Sequence, residues 1–306
     1  MRPRPARDVA FDNNFAEHLN LPLTDHVYSH KIARDVKLAI RIEANRVNLR
    51  QSTRDIVKLV EEQTGFPVQV LEDSKLPTMA TVRIARGNLP AHIITIKPVP
   101  GEQPDYLIAY QCGFILRHFA NPPQLRFEVG STQQGRDEVQ KAVMAPGGPA
   151  QRYHLNSVQA SQLQAQLLGG LIIHLRSVPI GMRVGQWIRQ EYPEFDELQR
   201  AQVLRELAQN RDALRREIKE MTPEQVYRPT LAINAAFAFF WTKQYGDPDL
   251  QAGFQSGRSE HDGHALLNIW QETSAEPEYD RVLVDAWARK LDLADWYEWA
   301  PYQPPA

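Results

Sequence analysis

Glu260-His261-Asp262-Gly263-His264 is the densest group of titratable side chains in the chain. Two imidazoles and two carboxylates at this spacing could hold a divalent ion, or serve as an acid and a base. The group follows a polar, glycine-containing stretch, QAGFQSGRSE, of the kind that carries function when it forms a loop. The competing reading is a helix start near His264 with Asp262 as its cap, because carboxylates favour helix N-termini. His26 and His30 have the one-turn spacing of a helical metal pair, and they stand equally well as half-exposed residues near a helix start. Cys112 and His118, placed on one helix, fall on different sides of it, so Cys112 reads as a buried structural thiol and not a nucleophile. There is no nucleophile-elbow motif and no phosphate-binding glycine loop; Gly169-Gly170 lies in an apolar helical stretch and reads as a close-packing site.

Residues 104 to 119, PDYLIAYQCGFILRHF, place Leu107, Ile108, Cys112, Ile115, Leu116 and Phe119 at helical spacing behind Pro104. With Gly113, this apolar spacing and the Arg117-His118 tail, the segment resembles the active-site helix of the ImmA/IrrE-type zinc peptidases. In that family the helix carries His-Glu-x-x-His. The two histidines, one turn apart, reach one zinc ion, and the glutamate accepts a proton from the metal-bound water. The matching positions here are Tyr110, Gln111 and Phe114. A phenol is a poor zinc donor at neutral pH, phenylalanine has no donor atom, and glutamine cannot take up a proton as a carboxylate does. The resemblance therefore implies a vestigial site with no catalytic residue, no metal and no cofactor. Tyr110 and Phe114 would stack and close the cavity where metal sat, and Gly113 would let a strand approach closely. The family's third ligand, an acidic residue of a downstream helix, would fall near Asp137 or Glu138, which otherwise read as solvated charges.

The elements that would position this helix are legible around it. A helix is expected over His26 to Val47, and a second from an N-cap at Ser52 or Thr53 to Thr64, with Gly65 at its exit. Strands are expected at Val68 to Leu71, Thr81 to Ala85 and His92 to Ile96, and a short one at Leu125 to Val129. A helix follows over residues 132 to 144, then the breaker Ala145 to Pro149. The order helix, three strands, helix is that of a small zincin-type domain, in which a sheet backs the active-site helix. The second half reads as helices at Ser157 to Ser177, Ile180 to Gln190, Glu194 to Met221, a buried one at Pro229 to Tyr245, and two more near 263–273 and 278–290. Thr222 and Pro223 look like a helix start. The expectation is an α+β protein in which a small mixed sheet packs on helices, followed by a mostly α-helical C-terminal domain. Its divisions are an arm at 1–25, the zincin-like part at 26–148 and the helical part at 149–306.

The 306 residues are 42% hydrophobic and 24% charged, enough for a sizeable core and against global disorder. Thirty-five basic against 37 acidic residues leave a formal charge of -2, so no global drive toward nucleic acid is expected. The basic run Arg211 to Lys219 is interleaved with acids and reads as a solvated helix face. A single cysteine excludes internal disulfides. The first residues lack the apolar core of a signal peptide, and Leu167 to Leu175 and Leu231 to Trp241 are short of the roughly 20 residues that cross a bilayer. A cytoplasmic protein without membrane association is expected. The aromatic tail DWYEWAPYQPPA is expected to dock on the protein itself or to meet a partner. The functional expectation is a catalytically inactive, zincin-like protein that binds a protein or peptide in regulation or assembly. Two alternatives are a hydrolase using Glu260, His261, Asp262 and His264, and a purely structural helical protein.

Overall fold

The computed structural model describes residues 41, 42, 49–255 and 257–305. It is an α+β protein with a helical C-terminal region. Most of the helix expected over 26–47, with His26 and His30, lies outside the described residues. Within that span Arg41–Ile42 forms a strand, β1, which pairs antiparallel with Leu71 and Val70.

Helix α1 runs Gln51–Thr64 and buries Ile56, Val57 and Val60. Its N-cap is Arg50, without a side-chain cap, and not Ser52 or Thr53. One backbone donor at this end is satisfied from far along the chain: Asp105 Oδ1 accepts from the Arg50 N–H at 2.7 Å, and it also accepts from the Thr53 hydroxyl at 2.6 Å. Gly65 closes α1 in the left-handed region, φ 75°, donating its N–H to Glu61.

Strands β2 (Val68–Glu72), β3 (Ala80–Arg83) and β4 (His92–Ile96) complete a sheet of order β1-β2-β4-β3. β2 and β4 are parallel, with Val68 opposite His92, while β3 lies antiparallel on the outer edge of β4. The β-branched run of β4 buries Ile93, Ile94 and Ile96, each worth about 1.5–3 kcal/mol of transfer free energy. Helix α2 (Asp105–Ala120) packs on α1 and against β3 and β4.

After β5 (Phe127–Ser131), helix α3 (Gln133–Met144) starts at Thr132, whose Oγ1 accepts from Gly135 N–H at 3.0 Å. The two helices expected across 157–190 are one, α4, Ser157–Glu191, opened by a capping box of Asn156 and Gln159. Pro179 sits inside it. An interior proline costs about 3 kcal/mol, but Leu175, Val178, Ile180, Met182 and Val184 around it are all buried, and their combined burial outweighs that cost. By length and composition this merged helix could cross a membrane; 78% of its most apolar window is buried inside the protein.

The charged segment 194–221, expected as one helix, is two: α5, Asp196–Asp212, and a short helix Arg216–Met221. Thr222 does not cap the next helix; its Oγ1 donates back to Ile218 O at 2.8 Å, finishing the one before. α6, Glu224–Tyr245, is the buried central helix, followed by α7, Gly257–Glu272, and α8, Asp280–Lys290. The aromatic tail docks on the protein itself. Its strand β6, Tyr297–Pro301, pairs antiparallel with β5 in the register Phe127 opposite Pro301. Beyond it, Tyr302 Oη donates to Ala85 O and Gln303 O accepts from Gly87 N–H, tying the last residues to the sheet region. The hydrophobic core is continuous from Leu49 to Tyr302.

Candidate functional site

Tyr110 and Phe114 lie one turn apart on α2, as the helical spacing requires, and their rings meet edge to face at 5.3 Å. Tyr106 continues the aromatic column at 5.7 Å from Tyr110. This face is covered by α4. A Cβ added at Gly181 would fall 2.1 Å from Tyr110 Oη and 3.4 Å from Phe114, so only glycine lets the backbone come this close. Gly113 makes the reciprocal contact, because a Cβ there would meet Val184 at 2.4 Å. The close approach expected of a strand at Gly113 is therefore made by a helix, since the sheet packs on another side of α2.

Burial, with the nearby Glu206 carboxylate and then Tyr106, holds the Tyr110 phenol well above its usual range. It stays protonated at neutral pH. Phe114 offers no donor, and Asp137 and Glu138 are exposed on α3, where Asp137 accepts from Gln133 at 2.7 Å. The residues at this face do not fit a zinc ion. Among the described residues no group of three or more His, Cys, Asp or Glu side chains could hold a metal.

One acid that spacing could not reveal does face the helix. Glu206, on α5, lies near Tyr106 and Tyr110, and desolvation pushes its carboxyl up to about 7. Beside it Gln199 Nε2 donates to Gly185 O at 2.8 Å, and Tyr245 Oη donates to Gln199 Oε1 at 3.3 Å. This is a polar seam between helices, with Gln199 fully buried and Glu206 and Tyr245 half-buried.

Residues 260–264 are helical and not a loop; the helix begins at Gly257 and not near His264, with Glu260 in its first turn. They lie within α7, three residues past its first residue. Asp262 is not a cap: 3% exposed, it is held by Arg228 at 3.3 Å, Arg258 at 3.6 Å and Lys290 at 3.7 Å. His261 and His264 are exposed, and His264 stacks on Phe239 at 4.1 Å. Helical geometry thus sends Asp262 inward to cations and the imidazoles outward. Cys112 is fully buried, and desolvation raises its thiol far above the range in which a thiolate forms.

The open feature lies one turn beyond Phe114. A cleft there is lined by Phe114, Arg117, His118, Arg176, Arg281 and Trp299, among others. Beneath it Asp280, 9% exposed, receives Arg117 Nε at 2.8 Å and Nη2 at 2.7 Å, and Arg183 Nη1 at 2.9 Å. Arg117 Nη2 also reaches Ala275 O, and Arg183 Nη2 reaches Thr273 O. Arg281 lies over the rings of Phe127 at 4.5 Å and Trp299 at 5.8 Å. Burial, and the charges of Arg176 and Arg126, lower His118 to about 3, so its ring is neutral; its buried Nε2 has no hydrogen-bond partner among the described residues.

Comparison with protein-family models, with curated proteins and with solved structures gives no match. Fold and site define a class only: an α+β protein with one helix whose central face is sealed by aromatic packing and whose last turn opens into an arginine-lined cleft.

Proposed function

We propose that this is a non-catalytic, zincin-like protein that acts by binding a protein or peptide. The observation that carries this reading is the Tyr110–Phe114 pair seated on Gly181, which puts ring atoms and helix backbone where a metal and its water would need room. The order of α1, three strands and α2, with the sheet behind α2, supports the zincin-like part. A partner would not lie along Tyr110 and Phe114, because α4 already covers that face. The exposed cleft at Arg117 and His118 is the surface available on the same helix. The alternative at residues 260–264 has less to support it, since Asp262 is neutralised by three cations and both imidazoles point away from it.

The test is hydrolysis of an unstructured protein substrate by the full chain with zinc added. No turnover above the Gln111→Ala variant is expected. Turnover that Gln111→Ala abolishes would overturn the non-catalytic reading.

A further inference from the structure

We propose that β5 is a strand-recognition edge, occupied in this structure by the chain's own Tyr297–Gln303, that takes an extended aromatic segment of a partner protein in trans. The proposal rests on the binding role above and names the chemistry of what is bound.

Backbone geometry is the first support. β5 and β6 form a two-stranded sheet of their own, and among the described residues β5 pairs with no strand but β6. A ribbon of two strands has little stability by itself. Without β6, the N–H and C=O groups from Phe127 to Ser131 are a template on which another extended segment can add as a strand. The register is held at both ends, since Thr132 N–H donates to Trp296 O at 3.1 Å and Tyr302 N–H to Arg126 O at 2.9 Å.

The side chains set which segment fits. Tyr297 Oη and Trp299 Nε1 donate to the same Asp285 Oδ1, at 2.5 and 2.7 Å, and Tyr302 Oη donates to Ala85 O. The Tyr302 ring meets His118 at 4.9 Å and Phe119 at 5.8 Å, edge to face. Glu298, Ala300, Pro301 and Gln303 are exposed. Aromatic residues with a polar tip therefore carry the selectivity, and the positions between them are open to change. The exchange stops at Trp296, whose backbone lies so close that a Cβ added at Gly135 would fall 2.6 Å from Trp296 O.

The tail is also an incomplete match to its own site. Beside Tyr302, the buried Nε2 of His118 has no hydrogen-bond partner among the described residues. A buried polar atom left so is costly, and a segment that pairs it gains an advantage over the tail.

The experiment titrates a fluorescently labelled peptide YEWAPYQPP, the sequence of residues 297–305, into the full chain and follows anisotropy. The tail in cis competes at an effective concentration on the order of millimolar, so wild type should bind the peptide weakly. Tyr302→Ala in the chain should tighten binding by about tenfold, and the same change in the peptide should weaken it by about tenfold, the effect of one hydrogen bond and a ring contact. Trp299→Phe in the chain keeps a ring and loses the donor to Asp285; it should tighten binding about threefold, and it serves where Tyr302→Ala does not fold. The same sign in chain and peptide, equal binding of a scrambled peptide, or no binding by either chain variant would overturn the site. A wild-type dimer that the peptide dissociates would make a second copy the occupant and overturn a foreign partner. Zinc-dependent turnover would sink the non-catalytic reading and leave these affinities as they are, so the two failures are distinguishable.

Discussion

Two successive parts of one helix have opposite fates. At Tyr110 and Phe114 the partner is a glycine of α4, and ring packs against backbone with no space left. One turn later, at Arg117 and His118, the partner is α8, whose Asp280 pairs with Arg117 at 2.7 Å beside an open cleft. The contrast shows how one helix can be sealed by close packing along one face and left open beside a charged network at the next. The first face depends on close packing, which tolerates no added atom. The second depends on a buried ion network, which tolerates no missing one.

The largest effect should come from the network. Asp280→Ala leaves Arg183 buried without its carboxylate and should cost about 3–5 kcal/mol in denaturant unfolding. A loss below about 1 kcal/mol would mean that water reaches the arginines and that the cleft is not preorganised.

Acid comes next. His92 is fully buried; its Nδ1 accepts from Ala85 N–H at 3.1 Å, so Nε2 carries the proton and donates to Thr64 Oγ1 at 3.0 Å. Burial lowers its pKa from 6.5 to about 4. A histidine depressed in the folded state contributes stability that is complete above 6.5 and is lost as pH falls toward about 4. The loss for His92 should approach about 3 kcal/mol, with His118 adding to it down to about pH 3. Unfolding measured across this window in wild type and His92→Gln should show a smaller pH slope in the variant; equal slopes would remove His92 from the explanation.

The sealed face should respond to Gly181→Ala, which forces Tyr110 aside and should cost about 1–3 kcal/mol. A neutral result would show that the Tyr110 face has slack and weaken the contrast with the cleft. The smallest effect is expected at the titratable cluster: His261→Ala should stay within about 0.5 kcal/mol and leave metal content unchanged.

Local signals were legible in the sequence. The β-branched run at 92–96, the apolar spacing of 105–120, Gly65 as a helix exit and the burial of the aromatic tail all follow from residue type and period. What was not legible was set by distant contacts. Pro179 marks a break locally, yet core burial on either side of it carries the helix through. Ser52 and Thr53 look like caps, but Asp105, more than fifty residues away in sequence, takes that task. The charged segment 194–221 breaks at 213–215 without glycine or proline to announce it. The cleft was missed because Arg117, Arg176, Arg281 and Trp299 come from separate elements and share no spacing. Residues 260–264 misled for the converse reason: spacing put acids and imidazoles together in sequence, and helical geometry separated them.

The central claim is that the zinc-ligand positions of the resembling family are filled by packing here. The most direct measurement is the zinc, iron and manganese content of the full chain, purified without a metal-binding tag and dialysed against zinc. The expected result is less than about a tenth of an equivalent of any metal. Near-stoichiometric zinc that falls away in Tyr110→Phe or Gln111→Ala would contradict the claim.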